Sequence, residues 1–337
     1  MNRVRDSLAG LADEIERLSA DVGHRVRVDV DAVLSSGDAE GRKAPGAVSA
    51  DGACRLIQAK DGWIAVNLPG ALDHRTVPTW IGCAPDAEPW AAIRKVARGW
   101  PWRELAYTAF EAGLAVAGVG EITAEAPHPF LTRMAPGAAR RSGGPLKVID
   151  FSSQWAGPFS GAVLARAGAQ VTKIESRAAP DILRAASPEA FERLNGEKED
   201  LALDFDDSED RVKIAAAVAE ADVIITSAGP GAAARMGLTP QAVFLRRPSL
   251  VWIAVTGYGW MGENADRLAY GDDAAAAGGL VSWDPKGAPN FIGNALADPL
   301  TGFAAAAAGL EAMRQGGGFL IDAPLARTAA EVAGRAA

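Results

Sequence analysis

The chain has 337 residues, of which 49% are hydrophobic and 23% charged, a profile that suits an ordinary globular protein with a sizeable core and room for two domains. A formal net charge of −8 argues against nucleic-acid binding, which needs clustered positive charge on one face. Two cysteines, Cys54 and Cys83, and three dispersed histidines, His24, His74 and His128, supply neither metal-ligand spacing nor a histidine-dependent triad. With no secretory leader and no apolar run near the roughly 20 residues that cross a bilayer, a reduced cytoplasmic setting away from membranes is expected.

In chain order, Leu8, Leu11, Ile15 and Leu18 recur at helical spacing between charges and predict one amphipathic helix over residues 1–22. Residues 37–52 are polar and Gly-rich and read as a loop. The runs ACRLIQA and GWIAVNL, joined by KDG, predict a β-hairpin turning at Asp61 and Gly62. Two helices follow, EPWAAIRKVARG and PWRELAYTAFEAG, in which Trp90, Ile93, Trp100, Trp102, Leu105 and Phe110 are spaced as core residues. The stretch RMAPGAARRSGGPL, Arg133 to Leu146, lacks apolar periodicity and marks an exposed linker. The expected division is a small α+β domain with an N-terminal helix over 1–135, a linker over 136–145 and a Rossmann-like domain over 146–337.

Beyond the linker, strand-like and helical runs alternate: LKVIDFS, PFSGAVLARAG, AQVTKIES, DSEDRVKIAAAVAEA, DVIITS, PGAAARMG and SLVWIAVTGYG. This is the pattern of βαβ units, so the fold class is α/β, an open parallel sheet with helices on both faces and ligand sites beyond the carboxyl ends of its strands. The first strand-to-helix turn, FSSQWAGPFSG, is not a dinucleotide fingerprint, because its single Gly157 is followed by Pro158. Glu175, at the end of the second strand, suits either a ribose hydroxyl or a solvated strand end. Near the end of the chain, NALADPLTGFAAAAAGL places Asp298 before Pro299 and a run of alanines, which reads as an N-capping carboxylate on a helix that other elements can approach closely.

Several of these motifs, in order, resemble those of the family III CoA-transferases, the CaiB/BaiF family. They are VIDFSSQWAGPFSGAVLARAGAQVTKIES, LNGEKEDLALDF, ADVIITSAGPGAAARMGLT, SLVWIAVTGYGWMGENADRLAYGDDAAAAGGL and GNALADPLTGFAAAAAGLEAM. The segment CRLIQAKDGWIAVNLPG, with the two helices and EAGLAVAGVGEI after it, resembles the family's small domain. That domain ordinarily follows the Rossmann-like part, so its N-terminal place here is that of a circularly permuted chain.

The resemblance implies transfer of coenzyme A from an acyl-CoA to a carboxylic acid, with Asp298 as nucleophile, no permanently bound cofactor, no metal, and a homodimer of interlocked chains. It implies CoA contacts at Gln154, Trp155, Ala156, Arg177, Ser227, Ala228, Arg235, Met236 and Tyr270. Arg177 and Arg235 suit the phosphates, and Trp155 and Met236 the adenine. Ser227 and Ala228 stand where the family commonly has Asn and an aromatic residue. An oxyanion needs N–H donors, for which the candidates are Gly278 and Gly279, or the loop from Gly46 to Gly52; plain turn chemistry is the other reading of each. The fold also hosts 2-methylacyl-CoA racemases, in which a His beside an Asp acts with the aspartate matching Asp298. Tyr270 occupies the His position here, with Asp272 and Asp273 beyond it, and a phenol titrating near 10 is a poor base at neutral pH. Transferase is thus the favoured reading, with racemase and a non-catalytic CoA-binding partner subunit as alternatives. Asp272 and Asp273 read most simply as a solvated cap at a turn.

Overall fold

Four short apolar runs, at residues 148–149, 223–225, 251–255 and 319–321, divide their side chains between two cores with a period of two, and this alternation fixes the architecture. We describe a computed structural model covering residues 1–35, 46–124, 129–137 and 144–334. His128, residues 37–45 of the expected loop and residues 138–143 of the expected linker lie outside these segments.

The chain opens with α1 (Asn2–Ser19), whose stripe Val4, Leu8, Ile15 and Leu18 is fully covered, and α2 (Val30–Ser35). Strands β1 (Cys54–Gln58) and β2 (Trp63–Asn67) form the expected antiparallel hairpin. Asp61 at its turn accepts the Trp102 N–H at 2.8 Å and so ties the hairpin to the helices that follow. These are α3 (Ala71–Ile81), α4 (Pro89–Ala97) and α5 (Trp102–Glu111), and β3 (Ala115–Gly118) then pairs antiparallel with β2 to complete a three-stranded sheet. Trp80, Trp90, Ile93 and Leu105 pack on Ile57, Ile64 and Val66. Trp100 departs from the expected core: it follows the end of α4 and is 38% exposed. Trp102 and Phe110 are half-buried, and the Trp102 ring lies where a Cβ on Gly118 would come within 2.3 Å.

The second unit runs through β4 (Phe130–Arg133), β5 (Lys147–Asp150), α6 (Ala156–Arg166), β6 (Gln170–Ser176), α7 (Leu183–Ala186), α8 (Pro188–Asn195) and β7 (Glu199–Leu203). It continues through α9 (Ser208–Glu220), β8 (Val223–Thr226), α10 (Pro230–Arg235), α11 (Pro240–Arg246), β9 (Val251–Thr256), α12 (Gly271–Ala277) and the hairpin β10 (Val281–Trp283) and β11 (Pro289–Phe291). It closes with α13 (Ala297–Arg314), β12 (Phe319–Pro324) and α14 (Leu325–Ala333). The large sheet has the order β4-β12-β9-β8-β5-β6-β7, parallel throughout except for β4. Its parallel strands therefore follow the doubly wound order 3-2-1-4-5-6, with the switch point between β5 and β8. Val148, Val223, Val251 and Ile253 face α6 and α13, whereas Ile149, Ile224, Trp252 and Ala254 face α9, α10 and α11. In space, α1 packs with α13 and β4 pairs with β12, so both lie with the large sheet. No described helix is long and apolar enough to cross a membrane.

The alanine-rich α13 lies in the middle of the first core. Its Gly302 faces the Ala156 carbonyl, 3.0 Å from where a Cβ would stand, and its Gly309 meets Ile253 at 2.7 Å on the same measure. Phe303 is the one large side chain at the centre, stacked on Phe159 with ring centroids 4.5 Å apart. Because the surrounding helices are held by backbone contacts, they cannot collapse into a void there. Phe303→Ala is expected to lower the unfolding free energy by about 3–5 kcal/mol, measured as a shift in the urea midpoint with unchanged slope.

Candidate active site

At the switch point the turn after β5 is held from beneath by two buried lysines. Lys198 Nζ lies 2.8 Å from the Asp150 carboxylate, 2.8 Å from the Pro158 carbonyl in α6 and 2.8 Å from Asn195 Oδ1. Lys173 Nζ donates to the Ser152 carbonyl at 2.7 Å and lies 3.3 Å from both Asp181 and Glu175. Buried charges are tolerated when paired and fully hydrogen-bonded, as here. Burial pushes the Asp150 carboxyl up, but Lys198 and Lys173 outweigh it and hold it below the ordinary range. Asp181 also accepts the Gln154 N–H at 2.9 Å, and Gln154 takes the left-handed conformation, φ 68°, which a side chain rarely adopts unless the surroundings impose it. Glu175 is engaged by Lys173 and by Arg184 at 2.8 Å, and its strand end is not solvated; its relative exposure is 8%.

Above this turn is a cavity of about 220 Å³ lined by Ser153, Gln154, Ala156, Ser227, Tyr270 and Asp298, among others. The turns after β5 and β8 meet across its rim, where the Ser153 N–H donates to Ser227 Oγ at 3.0 Å. Asp298 forms part of the wall, with a relative exposure of 8%. It is not the cap of its own helix: α13 begins at Ala297, its N-cap Leu296 makes no side-chain cap bond, and the Asp298 N–H donates to the Ala295 carbonyl at 2.9 Å. Its carboxylate instead faces the N–H groups of Ala156, first residue of α6, and of Gly271, first residue of α12, which favour its charged form. A Cβ at Gly271 would stand 2.2 Å from Asp298 Oδ2, so only glycine lets the backbone come this close.

Two further carboxyls share the enclosure. Asp272 accepts the N–H of Ala295 at 2.7 Å, pinning the left-handed residue (φ 45°) from which the chain enters α13. Asp273 accepts the N–H of Tyr270 at 3.0 Å and the side-chain amide of Asn67, from β2, at 2.8 Å. Neither is a solvated cap: their relative exposures are 5% and 0%. Burial pushes Asp272 up to about 8 and Asp273 up to about 7. Burial, and then the neighbouring Asp273, push Asp298 up to about 7 against its two N–H donors. Tyr270, the N-cap of α12, is pushed up to about 12 by burial and by Asp73 and Asp273.

Of the expected contact residues, Gln154, Ala156, Ser227 and Tyr270 line the cavity with Asp298. Trp155 is a half-buried neighbour at the N-cap of α6, and Ala228 is half-buried next to Ser227. Arg177 is largely exposed and paired with Asp210 at 3.1 Å. Arg235 and Met236 line a separate cavity of about 380 Å³ among α9, α10 and α11, where Arg211 donates to the Arg235 carbonyl. Gly278 and Gly279 lie at the far end of α12, and their N–H groups are already bonded to the carbonyls of Ala274 and Ala276. Gly278 serves close packing instead, since a Cβ there would lie 2.5 Å from the Ala330 nitrogen in α14. The Gly46 and Gly52 N–H groups are likewise bonded, to Val48 and Ser49. Sequence reasoning passed over Asn67 and Asp181 and carried Lys198 only within the motif LNGEKEDLALDF; the fold buries or half-buries all three around the site.

The raised carboxyls couple stability to pH. From about pH 4, where an unfolded aspartate titrates, to about 8, the folded chain holds protons that the unfolded chain releases, so stability falls as pH rises through that window. Asp272→Asn is expected to raise the melting temperature at pH 8 and to leave it nearly unchanged at about pH 3, below the unfolded aspartate's own titration, by calorimetry at the two values.

The comparisons with known proteins converge on the same half of the chain. A family model described as CoA-transferase family III matches residues 145–337. A succinate–glutarate CoA-transferase of Agrobacterium fabrum is 31% identical over 199 residues, covering 53% of this chain and 50% of that protein. An acyl-CoA transferase of Fusarium pseudograminearum is 31% identical over 204 residues, covering 54% of this chain and 45% of its own length. The chain thus spans about half the length of the curated relatives it matches. Among solved structures, a CaiB/BaiF family protein from Brucella suis superposes with a TM-score of 0.52 at 30% identity, covering 56% of this chain and 54% of that one. With its doubly wound sheet and a family match over more than half its length, the chain belongs to CoA-transferase family III.

Proposed function

We propose that the protein transfers coenzyme A from an acyl-CoA to a free carboxylic acid, with Asp298 as nucleophile. The observation that carries this reading is the Asp298 carboxylate on the wall of a cavity at the switch point, facing the first N–H groups of two helices. The ionised carboxylate attacks the thioester carbonyl, and collapse of the tetrahedral adduct expels CoA thiolate and leaves an aspartyl–acyl anhydride. The thiolate then attacks the aspartyl carbonyl, releasing the first acid and forming an aspartyl-CoA thioester. A second carboxylate attacks that thioester, again expelling thiolate, which takes the new acyl group and restores Asp298.

The N–H groups of Ala156 and Gly271 favour the charged form that the attack needs. The Ser153 and Ser227 hydroxyls line the same cavity and are donors within it for the developing oxyanion. In this reading CoA runs outward past Gln154, Trp155, Ala156, Ser227, Ala228 and Tyr270, with Arg177 meeting its phosphates and Arg235 and Met236 at the far end. The permuted domain order, the homodimer and the cytoplasmic setting belong to the same proposal. Tyr270, pushed up to about 12, is no base at neutral pH, which counts against a racemase. A non-catalytic CoA-binding partner subunit, in which Asp298 lines the cavity without reacting, is the second reading.

Incubation with an acyl-CoA and hydroxylamine is expected to place a hydroxamate on the peptide containing Asp298. Asp298→Asn is expected to abolish that adduct and to lower transfer by roughly a thousandfold or more while CoA still binds. CoA binding with no adduct across a panel of acyl-CoAs would instead support the partner subunit. Because the nucleophile must be charged and its carboxyl is raised to about 7, kcat/KM is expected to climb about tenfold per pH unit on the acid side and level off above that value.

A further inference from the structure

Asn67 and Asp273 make one hydrogen bond, Nδ2 to Oδ1 at 2.8 Å, between the three-stranded sheet and α12. Each then has one polar atom left over, Asn67 Oδ1 and Asp273 Oδ2, and both atoms are buried with no partner among the described residues. Two orphaned acceptors on a pair of bonded side chains are costly, since each has given up water for nothing. A single proton removes both deficits. A carboxylic acid has one O–H donor, and a primary amide offers a donor and an acceptor side by side, so the two groups match head to head.

We propose that Asp273 carries a proton on Oδ2 and donates it to Asn67 Oδ1, closing a two-hydrogen-bond acid–amide ring that leaves Asp298 as the charged carboxyl of the pair. The partners decide which carboxyl keeps the proton. Asp273 Oδ1 accepts the Tyr270 N–H and the Asn67 amide, bonds it keeps as the carbonyl of an acid, and Asn67 Oδ1 is an acceptor that only the protonated form can use, whereas the Ala156 and Gly271 N–H groups favour the charged form of Asp298. The other charged or titratable groups facing Asp273 are Asp272 and Tyr270 on its own element, Cys54 in β1, Tyr258 after β9 and Arg267 before α12. Arg267 would favour an ionised Asp273, but it is paired with Glu121 at 2.6 Å and donates to the Val116 carbonyl at 2.7 Å. Burial pushes the Cys54 thiol and Tyr258 phenol well up, so both stay neutral. Asn67 is then a positioning residue: residues before the family-matched region set the charge of the proposed nucleophile. The consequence for Asp298 rests on the transferase reading; the protonation state does not.

The test is infrared spectroscopy of the full chain with ¹³C-carboxyl aspartate, without substrate, at neutral pH. The wild-type minus Asp273→Asn difference is expected to contain a protonated-acid carbonyl band; a difference holding only carboxylate bands overturns the proposal. Asp273→Asn is also expected to move the Asp298 titration by under about half a pH unit, about threefold in proton affinity, because one neutral group replaces another; a larger fall means Asp273 was charged. Should Asp273→Asn fail to fold, Asn67→Ala serves alone: the acid band should persist and shift to higher wavenumber as its carbonyl loses the amide donor, and an unmoved band overturns the pairing. Since no substrate is present, these spectra stand whether or not hydroxylamine traps Asp298.

Discussion

Two backbone N–H groups, from Ala156 and Gly271, must reach one buried carboxylate, and much of the helix packing follows from that requirement. They start two helices, α6 and α12, while the carboxylate belongs to a third, α13. Three helices cannot converge on one point if bulky side chains separate them. Glycine at 271 and 302 and the alanine run of α13 remove the side chains that would do so. Phe159 and Phe303 then fill the space left behind.

Convergence brings a second constraint, since it gathers Asp272, Asp273 and Asp298 into one dry enclosure. Arg267 is the cation that meets this cluster, and it is shared with Glu121. Such a cluster survives by holding protons rather than by pairing with cations, and hydrogen-bond partners decide where the protons sit. The contrast lies just below, where Lys173, Lys198 and Arg184 keep Asp150, Asp181 and Glu175 matched in charge. One layer of the site is a balanced ionic network that holds the Gln154 turn; the layer above it is an unbalanced set of acids that holds Asp298.

Much of this was legible in the sequence. Alternating apolar runs announced the parallel strands β5, β6, β8 and β9, and KDG announced the β1–β2 turn, because both signals are local. Strand β12 escaped notice: FLIDAP enters directly from three glycines and ends on a proline, so its identity comes from pairing with β9 and β4 rather than from its own pattern. Asp298 stood out through resemblance and as a cap signal, yet its carboxylate binds other helices, and no local rule encodes which N–H groups a distant turn will deliver. Trp100 was misplaced because helical spacing runs on past the end of α4 while the chain itself turns away. Gly278 left two readings open, oxyanion donor or plain turn, because a glycine pair looks alike whether it frees an N–H or admits a neighbouring helix.

The packing of α1 against α13 bears on how the molecule is made. The stripe Val4, Leu8, Ile15 and Leu18 covers a surface assembled from residues about 300 positions further along the sequence, in α13. Contacts this distant in sequence are slow to form, because loop-closure entropy is lost before any burial compensates for it. The acid enclosure depends on the same long-range placement of α13, because Asp298 lies on it and Asp272 holds Ala295, from which the chain enters it. Burial of the three carboxyls is thus a property of the assembled fold, since no single local unit encloses them.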